Sequence, residues 1–385
     1  MGSYYYFEKK RWWGKVDTLL DEKLKSVEWG EYKLGDLFEI NSSKKIYHAK
    51  EINKIFDGKV NNSFPYVVRT TQNNGLRGYI IENELYANDK NTLSFAQDTF
   101  SVFYQKEKYF TGNKVKVLKA KFENCNEKVM QYLTASFQKS LRNSTWGLGS
   151  TVSSIAETKI ELPIENNEID YEFMESFIAQ IEEERIEKLE AYLEVSGLKD
   201  YVLTVEEQKA LDDFGNIEFE EFNVIDIFDV KNAGNILSRD IIKNSGETPY
   251  LCASSENNGI SSYISYNEEY LDKGNCIFIG GKTFVVSYQE KDFYSNDSHN
   301  LALYLKNEEK NKLNQLYLAT CINKGLGYKY SWGNSISSRK IQTDKISLPI
   351  KNKQPNYKIM ETLISAIQKL VIKDVVLYVE KKIEG

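Results

Sequence analysis

The sequence predicts an α+β protein of two tandem modules, each followed by one long helix. Three observations predict it. The stretch "FPYVVRTTQNNGLRGYI" (Phe64–Ile80) returns 184 positions later as "TPYLCASSENNGISSYI" (Thr248–Ile264). Short runs of alternating apolar residues, separated by Asn-Gly and Gly-Asn pairs, fill each copy. After each copy the apolar period changes from that of a strand to that of a helix.

The repeat extends outward from this stretch. "EYKLGDLFEI" (Glu31–Ile40) is answered by "EFNVIDIFDV" (Glu221–Val230) at an offset of 190, so the first copy holds about six extra residues near Asn53–Asn62. "TFSVFYQKEKYFTGN" (Thr99–Asn113) is answered by "TFVVSYQEKDFYSND" (Thr283–Asp297). Trp146-Gly147 is answered by Trp332-Gly333, and "KIELPI" (Lys159–Ile164) by "KISLPI" (Lys345–Ile350). A period this long is not that of a solenoid, which repeats every ~20–50 residues. It is a duplication of a whole domain with its helix.

Within a module, "YVVRT", "SVFYQ", "KVKVL", "CIFIG" and "LALYL" read as strands. Asn73-Asn74-Gly75 and Asn257-Asn258-Gly259 read as tight turns, because Asn and Gly tolerate positive φ. Pro-Tyr and Tyr-Ile around them read as core packing. Between these fixed points the copies differ: Arg69-Thr70-Thr71-Gln72 in one, Ala253-Ser254-Ser255-Glu256 in the other. A constant scaffold with variable polar positions lets a module keep its fold and change what it reads.

After each "LPI", apolar residues follow helical spacing. The first stripe is Ile169, Phe173, Phe177, Ile178, Ile181, Leu189, Tyr192 and Leu193, and Gly197 is a stop signal. The second is Tyr357, Met360, Leu363, Ile364, Ile367, Leu370 and Tyr378. The expected divisions are an N-terminal extension (1–28), a first module (29–165), a first long helix (166–200), a linker (201–218), a second module (219–351) and a second long helix (352–385).

The 385 residues are 41% apolar, enough for a sizeable core, and no run approaches the ~18 apolar residues that span a bilayer. The N-terminal residues mix aromatics with Lys and Arg and lack a signal-peptide core. This reads as a soluble, cytoplasmic protein. Four cysteines lie far apart without a Cys-x-x-Cys, as buried thiols of a reducing compartment do. His48 and His299 are the only histidines, so a zinc site and a Ser-His-Asp set are both unsupported.

Other chemistry is missing too. The five prolines precede Tyr66, Ile164, Tyr250, Ile350 and Asn356, so there is no Pro-Pro-Tyr/Phe of an amino-methyltransferase and no Pro-Asp of a common nuclease set. No Gly-x-Gly-x-x-Gly follows a strand. "GGKT" (Gly280–Thr283) lacks the upstream glycine of a phosphate loop and runs into a strand-like "TFVVSY". The chain reads as non-catalytic, with no cofactor of its own.

Net charge is −6, but it is unevenly placed. Residues 165–200 hold twelve acidic and three basic residues, whereas residues 41–160 hold eighteen basic and ten acidic. Residues 223–346 hold fourteen of each. Local charge, not the total, governs attraction to phosphate.

Two modules with "PY…NNG…YI", an aromatic "FYQ" or "SYQ" strand, and "LPI" before a long helix resemble the specificity (S) subunits of type I restriction-modification systems. The related type IIB specificity subunits are similar as well. "NILSRDI" with "TPYLCASSENNGISSYI" carries the likeness in the second copy; "SSKKIYHAKEI" stands in place of the first of these in the other copy. The resemblance covers about residues 30–385. It implies two target-recognition domains that each read half of a split DNA site. It implies that the long helices pair as an antiparallel coiled coil under a pseudo-two-fold. DNA methyltransferase (M) subunits carrying S-adenosylmethionine would dock on them, with a motor-nuclease subunit or one fused cutting-methylating subunit. A tandem carbohydrate- or protein-binding module, or a mimic that inhibits such a complex, are the alternatives.

Polar and basic residues at turns beside the shared scaffold are the expected DNA contacts, since phosphate positioning and base reading need them. In the first module these are Lys44, Lys45, Arg69, Gln72, Arg77 and Asn113. In the second they are Lys231, Arg239, Ser254, Asn257, Lys282 and Asn296. Glu182, Arg185, Lys188, Lys369 and Lys373 on the long helices are the expected partner-binding residues.

Overall fold

A computed structural model of the chain describes residues 16–141, 151–307 and 310–384. Residues 1–15, and the Trp146-Gly147 pair, lie outside the described residues. The chain divides into two units, Met1–Lys188 and Leu189–Gly385.

Unit 1 begins with α1 (Val16–Ser26), β1 (Glu28–Lys33), α2 (Leu34–Leu37) and β2 (Phe38–Ser42). Then come β3 (Phe64–Val67), β4 (Leu76–Ile80), β5 (Thr92–Ala96), β6 (Ser101–Gln105), β7 (Phe110–Thr111) and β8 (Val115–Ala120). After them follow α3 (Glu127–Ser140), α4 (Val152–Glu157), β9 (Lys159–Glu165), β10 (Glu168–Ile169) and the long α5 (Tyr171–Val195), whose last turns belong to unit 2. The strands form three sheets, ordered β2-β8-β5-β6, β4-β3-β7 and β1-β9-β10.

Unit 2 continues with α6 (Val205–Asp212), β11 (Phe219–Asn223), α7 (Val224–Ile227), β12 (Phe228–Asn232), β13 (Thr248–Leu251) and β14 (Ile260–Ile264). Next are β15 (Cys276–Ile279), β16 (Val286–Gln289), β17 (Tyr294–Ser295) and β18 (Leu301–Leu305). It ends with α8 (Lys312–Leu326), β19 (Lys345–Lys351), β20 (Gln354–Pro355) and α9 (Tyr357–Glu384). Its sheets are β12-β18-β15-β16, β14-β13-β17 and β11-β19-β20, strand for strand the order of unit 1.

The cores explain why the order repeats. Leu34, Phe38, Leu93, Phe95, Leu162 and Met174 are buried in one. Val224, Phe228, Ile277, Ile279, Leu348 and Met360 hold the equivalent places in the other. Each such side chain contributes about 1.5–3 kcal/mol on burial. The long helices start inside these cores. Met174 and Met360 sit in their first turns, and Asp170 and Asn356 cap them by accepting from the Phe173 and Ile359 backbone N–H groups at 2.7 and 3.2 Å. Gly197 ends α5 at φ +68, with Leu198 N–H bonded back to the Leu193 carbonyl at 2.9 Å.

Three sequence expectations change. In "YVVRT" only Tyr66 and Val67 are strand, because Val68 N–H turns away to the Gly75 carbonyl at 2.8 Å. Only Cys276 among the cysteines is buried; the other three are half-buried. The second helix buries Met360, Leu363, Ala366, Val376 and Val379, leaving Ile367, Leu370 and Tyr378 exposed. α9 is apolar on two faces, and spacing alone does not say which one is covered.

Candidate nucleic-acid interface

In each unit the Asn-Asn-Gly turn joins the first two strands of the three-stranded sheet. Asn73, Asn74 and Gly75 take φ values of 47°, 51° and 77°; Asn257, Asn258 and Gly259 take 47°, 52° and 80°. Three successive left-handed residues are costly for most side chains, and Asn and Gly tolerate them best. The side chains then fasten the turn to the neighbouring sheet. Asn74 Nδ2 donates to the Tyr104 carbonyl at 2.9 Å, and Gln105 Nε2 donates back to the Asn74 carbonyl at 3.2 Å. Asn258 Nδ2 donates to the Tyr288 carbonyl at 3.0 Å, and Gln289 Nε2 to the Asn258 carbonyl at 2.9 Å. The repeated "NNG" and "YQ" words are two halves of one hydrogen-bonded device.

Separate hydrogen bonds hold the four variable residues before it. Ser101 Oγ donates to the Thr70 carbonyl at 3.0 Å; Thr283 Oγ1 donates to the Ala253 carbonyl at 3.0 Å. The Thr70 and Ser254 hydroxyls accept from the backbone N–H two residues on, at 3.2 and 3.1 Å. Gln72 and Glu256 follow, both exposed.

Charge beside these loops is inverted between units. Asp98 and Lys282 occupy the same place in the repeat. Asp98 pairs with Arg69 and, at 3.1 Å, with Lys114. Lys282 instead pairs with Asp297 at 2.8 Å, and Asp297 also meets His299 Nδ1 at 2.7 Å. Burial raises the Asp297 carboxyl, but hydrogen bonds from Lys282 and His299 outweigh it and hold it at about 2. Both clusters sit where β5 or β15 ends and β8 or β18 begins, as the pairs Ala96↔Val115 and Ile279↔Leu301 show.

The remaining expected contacts are scattered around each sheet. Lys44 pairs with Asp89 at 2.7 Å, and that hydrogen bond holds the Asp89 carboxyl below the usual range. Lys45 lies over the Tyr47 and Tyr86 rings at 4.7 and 4.9 Å. Arg77 and Asn113 are exposed. Lys231 lies over the Tyr304 ring at 5.3 Å, and Arg239 lies 3.7 Å from Asp240. Asn257 donates to the Ile260 carbonyl at 3.0 Å, and Asn296 accepts from Asn300 at 3.0 Å, so both side chains serve the scaffold. Lys114 and His299 join these charged clusters and were not among the expected contacts. The opposite charges at Asp98 and Lys282 were the available signal.

Of the expected partner-binding residues, Arg185 and Lys373 are exposed, and Glu182 and Lys188 are half-buried. Lys369 is different. Its side chain is only 14% exposed, held by Asp200 at 2.9 Å and Glu207 at 3.1 Å. It also donates to the Val202 carbonyl at 2.9 Å, while Glu207 accepts from Ser365 at 2.6 Å. This replaces the expectation of an outward-facing Lys369: two carboxylates on the segment before and within α6 draw the ammonium inward. Glu190 and Leu193 line one cavity with Val376, Val379 and Ile383. Within unit 2, therefore, the chain from the end of α5 to α6 runs antiparallel along α9.

Among the described residues, no cluster of three His, Cys, Asp or Glu side chains could hold a metal ion, and no helix is long and apolar enough to cross a membrane.

Doubled sheets that offer variable polar loops on a constant frame define a tandem recognition protein. The chain belongs to the type I restriction modification DNA specificity domain family, which matches residues 26–191 and again 216–377. It is a specificity subunit of a restriction-modification system, the non-catalytic, DNA-binding component. It is 24% identical over 356 residues to the specificity subunit S.BcgI of a type II restriction enzyme from Heyndrickxia coagulans, covering 90% of this chain and 96% of that one. Its fold is similar to the S subunit of a type I restriction-modification system from M. genitalium, with a TM-score of 0.57, 15% identity and 93% of each chain covered.

Proposed function

We propose that the chain reads a bipartite, non-palindromic duplex site, one half per module. The observation that carries this is one hydrogen-bonded frame built twice, with different side chains at its exposed loop positions. Equal frames give equal docking; unequal loops give unequal sequences. The long helices set the distance between the half-sites. They also dock DNA methyltransferase subunits, which supply S-adenosylmethionine, with a restriction subunit or a fused cutting-methylating subunit completing the complex in the cytoplasm. Arg185 and Lys373 are exposed there to meet such partners. Lys44, Lys114, Lys282 and Arg239 supply phosphate contacts. Genomic methylation mapping, with the cognate methyltransferase expressed with and without this chain, tests the reading. A new bipartite motif that depends on this chain supports it; an unchanged methylation pattern rejects it.

A further inference from the structure

We infer that Gln72 and Glu256 are the equivalent base-reading residues of the two modules, Gln72 selecting adenine and Glu256 selecting cytosine. This rests on the bipartite reading above and names residues within it.

The inference comes from asking which polar side chains of the paired loops are left over. Asn74, Asn258, Gln105 and Gln289 are committed to the frame, as are Asn73, which donates to the Leu76 carbonyl at 3.4 Å, and Asn257. The Thr70 and Ser254 hydroxyls are held by backbone N–H groups. Arg69 is paired with Asp98, and its counterpart Ala253 has no polar group. Thr71 and Ser255 are exposed, but a hydroxyl both donates and accepts and so discriminates poorly between bases.

Gln72 and Glu256 remain. Each is exposed, each precedes the left-handed turn, and each has its backbone N–H fixed by a hydroxyl two residues earlier, at 3.2 and 3.1 Å. Both backbones are extended at this point, at φ −114°, ψ 164° and φ −86°, ψ 148°, and the side chains differ only in their end group. A carboxamide can donate and accept at once, which matches adenine N7 and N6. A carboxylate only accepts, which matches the cytosine N4 amino group. The two side chains are nearly isosteric, so exchanging them alters hydrogen-bonding sense while leaving shape almost unchanged.

The test is selection from a randomised duplex pool by the full chain, as wild type, Gln72→Glu and Glu256→Gln. Thermal melting of each variant within the wild-type range establishes the fold. Gln72→Glu is expected to change one position of one half-site from adenine to cytosine. Glu256→Gln is expected to change one position of the other from cytosine to adenine. Against the wild-type site, each variant loses roughly 10–100-fold in affinity, restored by that single base change. Variants that select the wild-type motif overturn the assignment while leaving bipartite reading intact. A wild-type chain that selects no motif overturns the bipartite reading itself, and the assignment with it.

Discussion

Gln105 donates its side-chain amide to the main-chain carbonyl of Asn74, 31 residues earlier, and Asn74 returns a bond to the carbonyl next to Gln105. Gln289 and Asn258 repeat the exchange in the second unit. A strand end and a turn from different sheets are thus locked together twice in one chain. The loops that differ between the copies hang from this lock.

Substituting Asn258 tests the lock. Asn258→Ala loses the bond to the Tyr288 carbonyl, about 1 kcal/mol, and puts at φ 52° an alanine, which lacks asparagine's tolerance of left-handed backbone, about 1–2 kcal/mol more. Asn258→Gly loses the bond alone. Denaturant unfolding of the full chain should show a total loss of about 2–3 kcal/mol for alanine and about half that for glycine. Equal losses would deny the conformational part, and no loss in either would deny the bridge.

The Glu207–Lys369 cluster carries a pH prediction. Burial raises the Glu207 carboxyl, but bonds from Ser365, the Thr204 N–H and Lys369 outweigh it and hold it at about 2. An unfolded glutamate titrates near 4.3. Its folded value is depressed, so its stabilisation is complete above the unfolded value and is lost as pH falls toward about 2. Lys369→Met should destabilise unit 2 by roughly 3 kcal/mol at neutral pH and flatten the fall between about pH 5 and 2. A variant whose stability still falls as steeply with acid would show that Ser365 and the Thr204 N–H lower Glu207 without help from Lys369.

The charged loop ends predict salt behaviour. Lys114 and Lys282 each stand half-exposed at a sheet end. Alanine at either should lower the slope of log affinity against log salt by about one, for specific and random duplexes alike. Lys373→Ala on α9 should leave the slope unchanged. A drop for Lys373 equal to that for Lys282 would mean the sheet ends are not where phosphate is met.

Much of this was legible in the chain. The doubled words fixed the module count, and alternation and helical spacing located the strands, the long helices and the stop at Gly197. The turn at Asn73–Gly75 followed from residue type, because few side chains tolerate positive φ. The bonds from Asn74 and Asn258 were hidden, since they join residues about 30 apart that meet only through sheet packing. Lys369 was misjudged for a related reason. A lysine on a charged helix reads as solvated until Asp200 and Glu207, more than 150 positions away, are folded against it. Gln72 was picked out as a polar residue at a turn beside the scaffold, but its equivalence to Glu256 in geometry required the two backbones side by side.

The most direct measurement varies the gap between half-sites. α5 has 25 residues and spans about 38 Å at about 1.5 Å per residue, close to one turn of B-DNA at about 34–36 Å. Duplexes carrying the two selected half-sites should be bound by the full chain at one separation. Lengthening or shortening the unread spacer by one or two base pairs should abolish specific binding, while changing its sequence should matter little. Undiminished affinity across spacer lengths, or a single contiguous motif from selection, would contradict two readers held at a fixed distance.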